Sequence, residues 1–405
     1  MKKFLALLLT LIMALSLVAC GGGKTEEPAK TDEPAKTEEP AKTEEPAGTI
    51  KVGVFQPLTG NSAYMGSAGN NAVKLAAKQI NEAGGILGMQ LEVISYDDKS
   101  SPEEAVKSVN KMLEVDEVDV IIGSLHSGNI QACGDIVEDA GVPLLGTGTS
   151  PQWLQKGWTY LFRPTLNTYY SSLAAVQACE ALGYKTLVTF YSQDEYGKNG
   201  NDNMVAICEE FGIEILASES MKPGDSDMTA QCANLAAAGA DAMYMIATAD
   251  NLPAMVKQAR AGGFDKHIIG EQSLGAPEVK AVAGDAANGL IYGACFIMPK
   301  EKPEEAGIPE IVQYFQDYLD EYGEMCPSEV AVRCYDAMFI YKAAVEKAGS
   351  IDGTAVRDAM YETTYKGLQG TFDFSIGAGE GLTTSRLYII DDLQDVLVED
   401  WMAKQ

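Results

Sequence analysis

From Ile50 onward, short apolar runs alternate with stretches whose apolar positions recur every three or four residues. Ile50–Leu58, Leu91–Tyr96, Val118–Ile122 and Pro143–Leu145 have strand length and composition. Between them, Gly69–Ala83 sets Val73, Ala76, Ala77 and Ile80 on one helical face. Ser101 and Glu104 flank Pro102 as a capping box, predicting a helix to about Glu114, and another helix is predicted from about Gly128 to Asp139. After Tyr160–Arg163 the rhythm restarts with a helix from Tyr169, strand Thr186–Tyr191, helix Gly197–Phe211 and strand Glu214–Ser218. Helix Met228–Ala238, strand Ala242–Ile246, helix Leu252–Ala261 and strand His267–Ile269 follow. Strands that are apolar on both faces, separated by helices, predict parallel sheets covered on both sides. Two such series give an α/β protein of two Rossmann-like, doubly wound lobes with right-handed crossovers. The helical stretches Glu310–Tyr322 and Val330–Ala348 are expected to return the chain to the first lobe.

The first 48 residues follow another pattern. Lys2 and Lys3 precede an apolar run from Phe4 to Ala19, too short for the ~30 Å hydrocarbon core and fitting an export signal. The run closes on Leu17, Val18, Ala19 and Cys20, similar to a bacterial lipobox, which would make Cys20 the lipidated first residue of the mature chain. Three glycines and a repeat opened by Lys24, Lys30, Lys36 and Lys42 then fill residues 21–48 with charge and proline, so this segment is expected to be an unfolded tether. The expected location is the extracytoplasmic face of a cell membrane.

Composition narrows the chemistry. With 58 acidic and 30 basic residues the formal charge is −28, which argues against a nucleic-acid partner. Two histidines leave little for a His-rich metal site. The cysteines after Cys20 form no C-x-x-C pair and read as buried thiols, with Cys326 and Cys334 open as a possible bridge. No metal and no cofactor are expected.

Ligands of open α/β sheets bind beyond the carboxyl ends of the strands, so the loops there are where chemistry is sought. Gly123 to Gly128 has the glycine spacing of a P-loop, but Asn129 and Ile130 stand where lysine and a hydroxyl belong. His126 beside Ser127 lacks the first glycine of a nucleophile elbow, because Leu125 occupies that place. No catalytic residue is assigned and no enzyme is expected. Ser127 at a helix start, with the Gly128 and Asn129 amides, together with Thr147, Gly148 and Thr149, suits an anionic group such as a carboxylate. A plain helix cap at Ser127 remains the alternative.

Several segments carry a more specific resemblance. Ile50 to Gly60, Ile80 to Gly88, Tyr96 to Asp98, Asp194 to Gly197 and Lys257 to Gly263 resemble, in order, the leucine/isoleucine/valine-binding family of periplasmic binding proteins. The resemblance implies the type I periplasmic-binding fold, a Venus flytrap of two lobes joined by three crossover strands. The implied division is 1–20 signal, 21–48 tether, 49–167 plus about 296–372 for the first lobe, and 168–295 plus about 373–405 for the second. It implies that Ser127, Thr147 and Thr149 with nearby amides hold the ligand carboxylate and that Tyr196 closes over it. The family's ammonium partner falls on Gln272, with Glu271 one place earlier; by its own place at another strand end, Asp250 could serve instead or could cap the helix that follows. Tyr64 in the first lobe, and Thr248 by its place at a strand end of the second, complete the candidate site. The expected function is that of a monomeric solute-binding lipoprotein delivering a small amino acid, first a branched-chain one, to an ABC permease. A binding or sensor protein of the same fold for amides, urea or small organic acids is the alternative.

Overall fold

A computed structural model describes residues 48–405. The expected signal, Cys20 and all but the last residue of the tether lie outside the described residues. The first pass of the chain runs β1 (Thr49–Gln56), α1 (Ala63–Glu82), β2 (Gln90–Asp97), α2 (Pro102–Lys111), β3 (Val120–Gly123), α3 (Ser127–Ala140), β4 (Leu144–Leu145) and β5 (Leu161–Leu166). The second is α4 (Thr168–Leu182), β6 (Thr186–Ser192), α5 (Glu195–Phe211), β7 (Glu214–Met221), α6 (Thr229–Ala237), β8 (Ala242–Ile246), α7 (Leu252–Ala261), β9 (Ile268–Glu271), α8 (Pro277–Ala283) and β10 (Leu290–Ala294). The chain then forms α9 (Pro309–Tyr322), α10 (Glu329–Ala348), α11 (Gly353–Tyr361), the hairpin β11 (Thr364–Lys366) and β12 (Thr371–Asp373), and β13 (Glu380–Leu382), before ending through β14 (Arg386–Asp391) and β15 (Gln394–Leu397).

Among the described residues, beside the two-stranded β11-β12 hairpin, two large sheets result, of order β13-β5-β4-β3-β1-β2 and β15-β14-β10-β9-β8-β6-β7. The first is parallel throughout, and the second is parallel except where β14 pairs antiparallel with β10 and β15. Alternation along the strands explains their unbroken apolar runs. Val52, Val54, Val120 and Ile122 enter the core shared with Val73, Ala337 and Ile340, whereas Phe55 and Ile121 enter the opposite one with Val109, Ile130 and Val137. Each such side chain contributes about 1.5–3 kcal/mol on burial.

The chain crosses between sheets at Asn167, between β10 and α9, and between β13 and β14. The last crossing falls after the expected boundary at 373, because Glu380 and Leu382 pair with Arg163 and Leu166 of β5 and keep β13 in the first sheet. The predicted capping box does not form: Ser101 makes no side-chain cap bond, and Glu104 pairs instead with Lys99 and Lys107. Cys326 and Cys334 are separate buried thiols, not a bridge. Among the described residues no helix is long and apolar enough to cross a membrane.

Candidate functional site

The loops after β1, β3 and β4 meet those after β6, β8 and β9 across a closed cleft. Among the hydrogen bonds that span it, Ser62 Oγ donates to Asp250 Oδ2 at 3.2 Å and Asn199 Nδ2 donates to Ser150 Oγ at 2.9 Å. Inside lie two small cavities, of about 30 and 10 Å³. Thr149, Tyr196, Ser273 and Arg333 line both. Met65, Leu125, Thr248 and Glu329 belong to the larger, and Glu271 and Gln272 to the smaller, which adjoins Leu166 and Gly293 near the crossings. A cavity of about 10–15 Å³ holds one water, so a solute of amino-acid size enters only when the lobes part.

The second-lobe face is organised around Glu271, the last residue of β9. Its two oxygens accept from the Tyr196 hydroxyl at 2.9 Å and the Tyr244 hydroxyl at 3.3 Å. Burial pushes the carboxyl up to about 7, against the pull of those hydroxyls and of Arg333. Tyr196 is presented by the first turn of α5, whose cap Asp194 accepts from the Gly197 amide at 2.7 Å. Burial, then the nearby Glu271, raises both tyrosine hydroxyls well above their usual range. Gln272 is buried and its Nε2 has no partner among the described residues. Thr248 Oγ1 accepts from Asn251 Nδ2 at 3.0 Å. Asp250 is not a cavity wall: it accepts from Ser62 and from Asn251 Nδ2 and acts as a latch between lobes.

The first-lobe face is more inward-turned. Ser127 Oγ accepts from the Ser150 amide at 3.2 Å, and Thr147 Oγ1 accepts from Gln56 Nε2 at 3.4 Å. The Asn129 amide, expected to face outward, donates to the His126 carbonyl at 3.0 Å. Gly148 fits because a Cβ there would stand 2.8 Å from Ser127 Oγ and 2.9 Å from Ile130 Cδ1. Only Thr149 of this predicted group lines the cavities. Its carbonyl accepts from Arg163 Nη1 at 2.5 Å, while Arg163 Nη2 donates to the Ser150 carbonyl at 2.8 Å. The Arg163 guanidinium is fully buried over the Trp153 ring, with Glu380 Oε2 3.3 Å from Nε, and burial pulls it down to about 10. Tyr64 on α1 is half-buried, outside both cavities, and burial together with Glu278, Glu329 and Asp250 raises its hydroxyl. His126 Nε2 lies 3.0 Å from Ser100 Oγ, away from Ser127 Oγ, so the two side chains do not act as a pair.

Sequence reasoning missed Arg333, Glu329 and Tyr244. Ser328 caps α10 by accepting from the Val330 amide at 3.2 Å, placing Glu329 and Arg333 one turn apart on the cleft side. Arg333 Nη1 donates to the Thr147 carbonyl at 3.2 Å and Nη2 to Glu329 Oε1 at 3.3 Å. Their signal was present: opposite charges four apart within Val330, Ala331, Val332 and Cys334 must be buried together. Tyr244 gave none, since it reads as strand core. A larger groove of about 670 Å³ lies on the crossing side, lined by Cys295, Tyr335, Phe339, Tyr365 and Arg386 among others. None of the predicted site residues lines it, and it lacks the convergent buried polar groups of the cleft.

The family model described as "Periplasmic binding protein" matches residues 49–392. The chain belongs to the periplasmic binding protein family. Within it, the chain is 29% identical over 329 residues to the leucine-, isoleucine-, valine-, threonine- and alanine-binding protein of Pseudomonas aeruginosa, covering 80% of this chain and 86% of that one. The branched-chain amino acid transporter substrate-binding protein LivJ of Streptococcus pneumoniae, solved in complex with isoleucine, superposes with a TM-score of 0.74 at 25% identity, covering 86% of this chain and 97% of that one. A solute-binding protein of an ABC transporter from R. palustris, solved with benzoate, has a TM-score of 0.77 at 20% identity and covers 87% and 96%, a likeness of fold. This periplasmic binding protein therefore has the two-lobed type I fold, and its cleft is the place to seek a solute.

Proposed function

We propose that this periplasmic binding protein captures a small amino acid, first a branched-chain one, between its lobes and delivers it to an ABC permease. The observation that carries this reading is the closed cleft with Glu271 buried on one face and Thr149 and Arg333 on the other. Such walls offer an acid for an ammonium and donors for a carboxylate. The relatives named above support the choice of amino acid. A solute that touches both lobes favours the closed state, and a permease that recognises that state receives it. No covalent step is needed. Cys20 would carry the lipid that keeps the protein at the membrane, and Cys20→Ala is then expected to appear in the soluble fraction; retention on membranes would remove that anchor.

A second reading, a binder of amides, urea or small organic acids, is favoured by one detail: both Glu271 oxygens already accept from tyrosines. The two readings separate in a melting experiment on the full chain, denatured and refolded to strip any retained solute. At a thousandfold excess over its dissociation constant a true ligand adds about 4 kcal/mol, a rise of several degrees. A rise with branched-chain amino acids supports uptake of those solutes. A rise only with amides or plain acids overturns it.

A further inference from the structure

Two residues that line the smaller cavity carry donors that the described residues leave unmet. Arg333 is 9% exposed and Gln272 is 8% exposed, yet Arg333 Nε and Gln272 Nε2 have no hydrogen-bond partner among the described residues. Both residues line this cavity. A buried donor without a partner is costly, and a charged one more so. Several acceptors around it are already engaged. Glu271 accepts from Tyr196 and Tyr244, the Thr149 carbonyl accepts from Arg163 and Thr168, and the Thr147 carbonyl takes Arg333 Nη1. The Ser273 hydroxyl is turned to the Ala247 carbonyl. What the cavity calls for is an acceptor, and preferably an anion.

We propose that the smaller cavity is a carboxylate subsite, in which Arg333 and Gln272 donate to the carboxylate of the solute. This rests on the reading of the cleft as the solute site, and it moves the carboxylate from Ser127 and Thr147, which line neither cavity, to the helix α10 side. The geometry of a guanidinium suits it. Arg333 uses Nη1 on Thr147 and one Nη2 hydrogen on Glu329, leaving Nε and the other Nη2 hydrogen as a side-on fork for a planar carboxylate. Glu329 serves as the counter-ion that holds this fork while the cleft is open. Gln272, from the opposite lobe, reaches the carboxylate only on closure, so the anion itself links the two faces.

Calorimetric titration of the refolded full chain with L-leucine, L-alanine and their carboxamides tests this. The acids are expected to bind and the amides to bind at least about 10-fold more weakly. Arg333→Gln is expected to weaken every acid that binds by roughly 10- to 150-fold, and Gln272→Leu by roughly 2- to 12-fold. Because Arg333→Gln leaves Glu329 unpaired and can fail to fold, the double variant Glu329→Gln/Arg333→Gln removes the buried charges together and is expected to show the same loss of acid binding with a cooperative melt. If an amide binds as tightly as its acid, or if the double variant keeps wild-type affinity, water and not a carboxylate satisfies these donors and the subsite is overturned. If neither acid binds the wild type, the amino-acid reading of the cleft fails and the subsite with it. Binding that ignores Arg333 defeats the subsite alone.

Discussion

The two faces of the cleft are built on opposite plans. On the second-lobe face, the end of β9, the first turn of α5 and the middle of β8 deliver Glu271, Tyr196 and Tyr244 as one hydrogen-bonded group beside the cavity, with the acid pushed up to about 7 by burial. On the first-lobe face, the strand-end loops spend their side-chain oxygens on themselves: Ser127 on Ser150, Thr147 on Gln56. Charge reaches that face from a helix instead, through Arg333 and its partner Glu329. A loop rich in glycine and hydroxyls can thus be a brace for a site whose charged contact comes from elsewhere in the chain.

The largest expected effect falls on the brace. Arg163 holds the Thr149 and Ser150 carbonyls, and Arg163→Met removes this fully buried cation while leaving the half-buried Glu380 unpaired. Breaking a buried pair in this way costs about 3–5 kcal/mol. Urea unfolding should show that loss; a cost under about 1 kcal/mol would mean the first-lobe loops hold their shape without Arg163.

The second-lobe face is tested by pH. The groups facing Glu271 are the Tyr196 and Tyr244 hydroxyls, Thr168, the Arg333 guanidinium and, farther off, Arg163. Its carboxyl is raised from 4.5 to about 7, so the folded protein holds a proton there that the unfolded chain releases. The stability gained is full below 4.5 and is lost as pH rises through about 7. Binding follows the same sign. A solute bearing an ammonium needs the ionised acid, so its affinity should rise by up to about tenfold per pH unit below 7 and then level. A carboxylate without an ammonium, such as 4-methylpentanoate, should instead bind more weakly above 7. Glu271→Gln should flatten either profile; a flat profile in the wild type would show that the acid does not sense the solute.

Smaller effects belong to the contacts between faces. Ser62→Ala and Asn199→Ala each remove one bond across the cleft and should weaken binding by about 0.5–1.5 kcal/mol, measured as a loss of affinity with little change in melting of the ligand-free protein. Ser127→Ala should fall in the same range, well short of Arg333→Gln. A loss at Ser127 equal to that at Arg333 would return the carboxylate to the loops and make the two faces alike.

Much of the fold is legible in the order of the residues. Ala242–Ile246 and Leu252–Ala261 match their predicted bounds, because a buried parallel strand and an amphipathic helix are written in local periodicity. Other ends differ. α1 begins at Ala63, ahead of the predicted Gly69, and the box at Ser101 is undone by lysines that attract Glu104. Within the site, Thr149, Tyr196, Thr248, Glu271 and Gln272 follow from strand ends and line the cavities, whereas Asp250 is a latch and Ser127 and Thr147 are struts.

The sequence by itself determined two doubly wound lobes and the loops that face each other between them, since both follow from patterns a few residues long. Only the tertiary structure decided which side chains in those loops are free. Whether Ser127 faces a solute or Ser150 depends on where a neighbouring strand ends, and whether a cation stands in the cleft depends on a helix far along the chain. Hydrogen bonds and buried charges are settled by partners that meet in space, and those partners are not neighbours in the sequence.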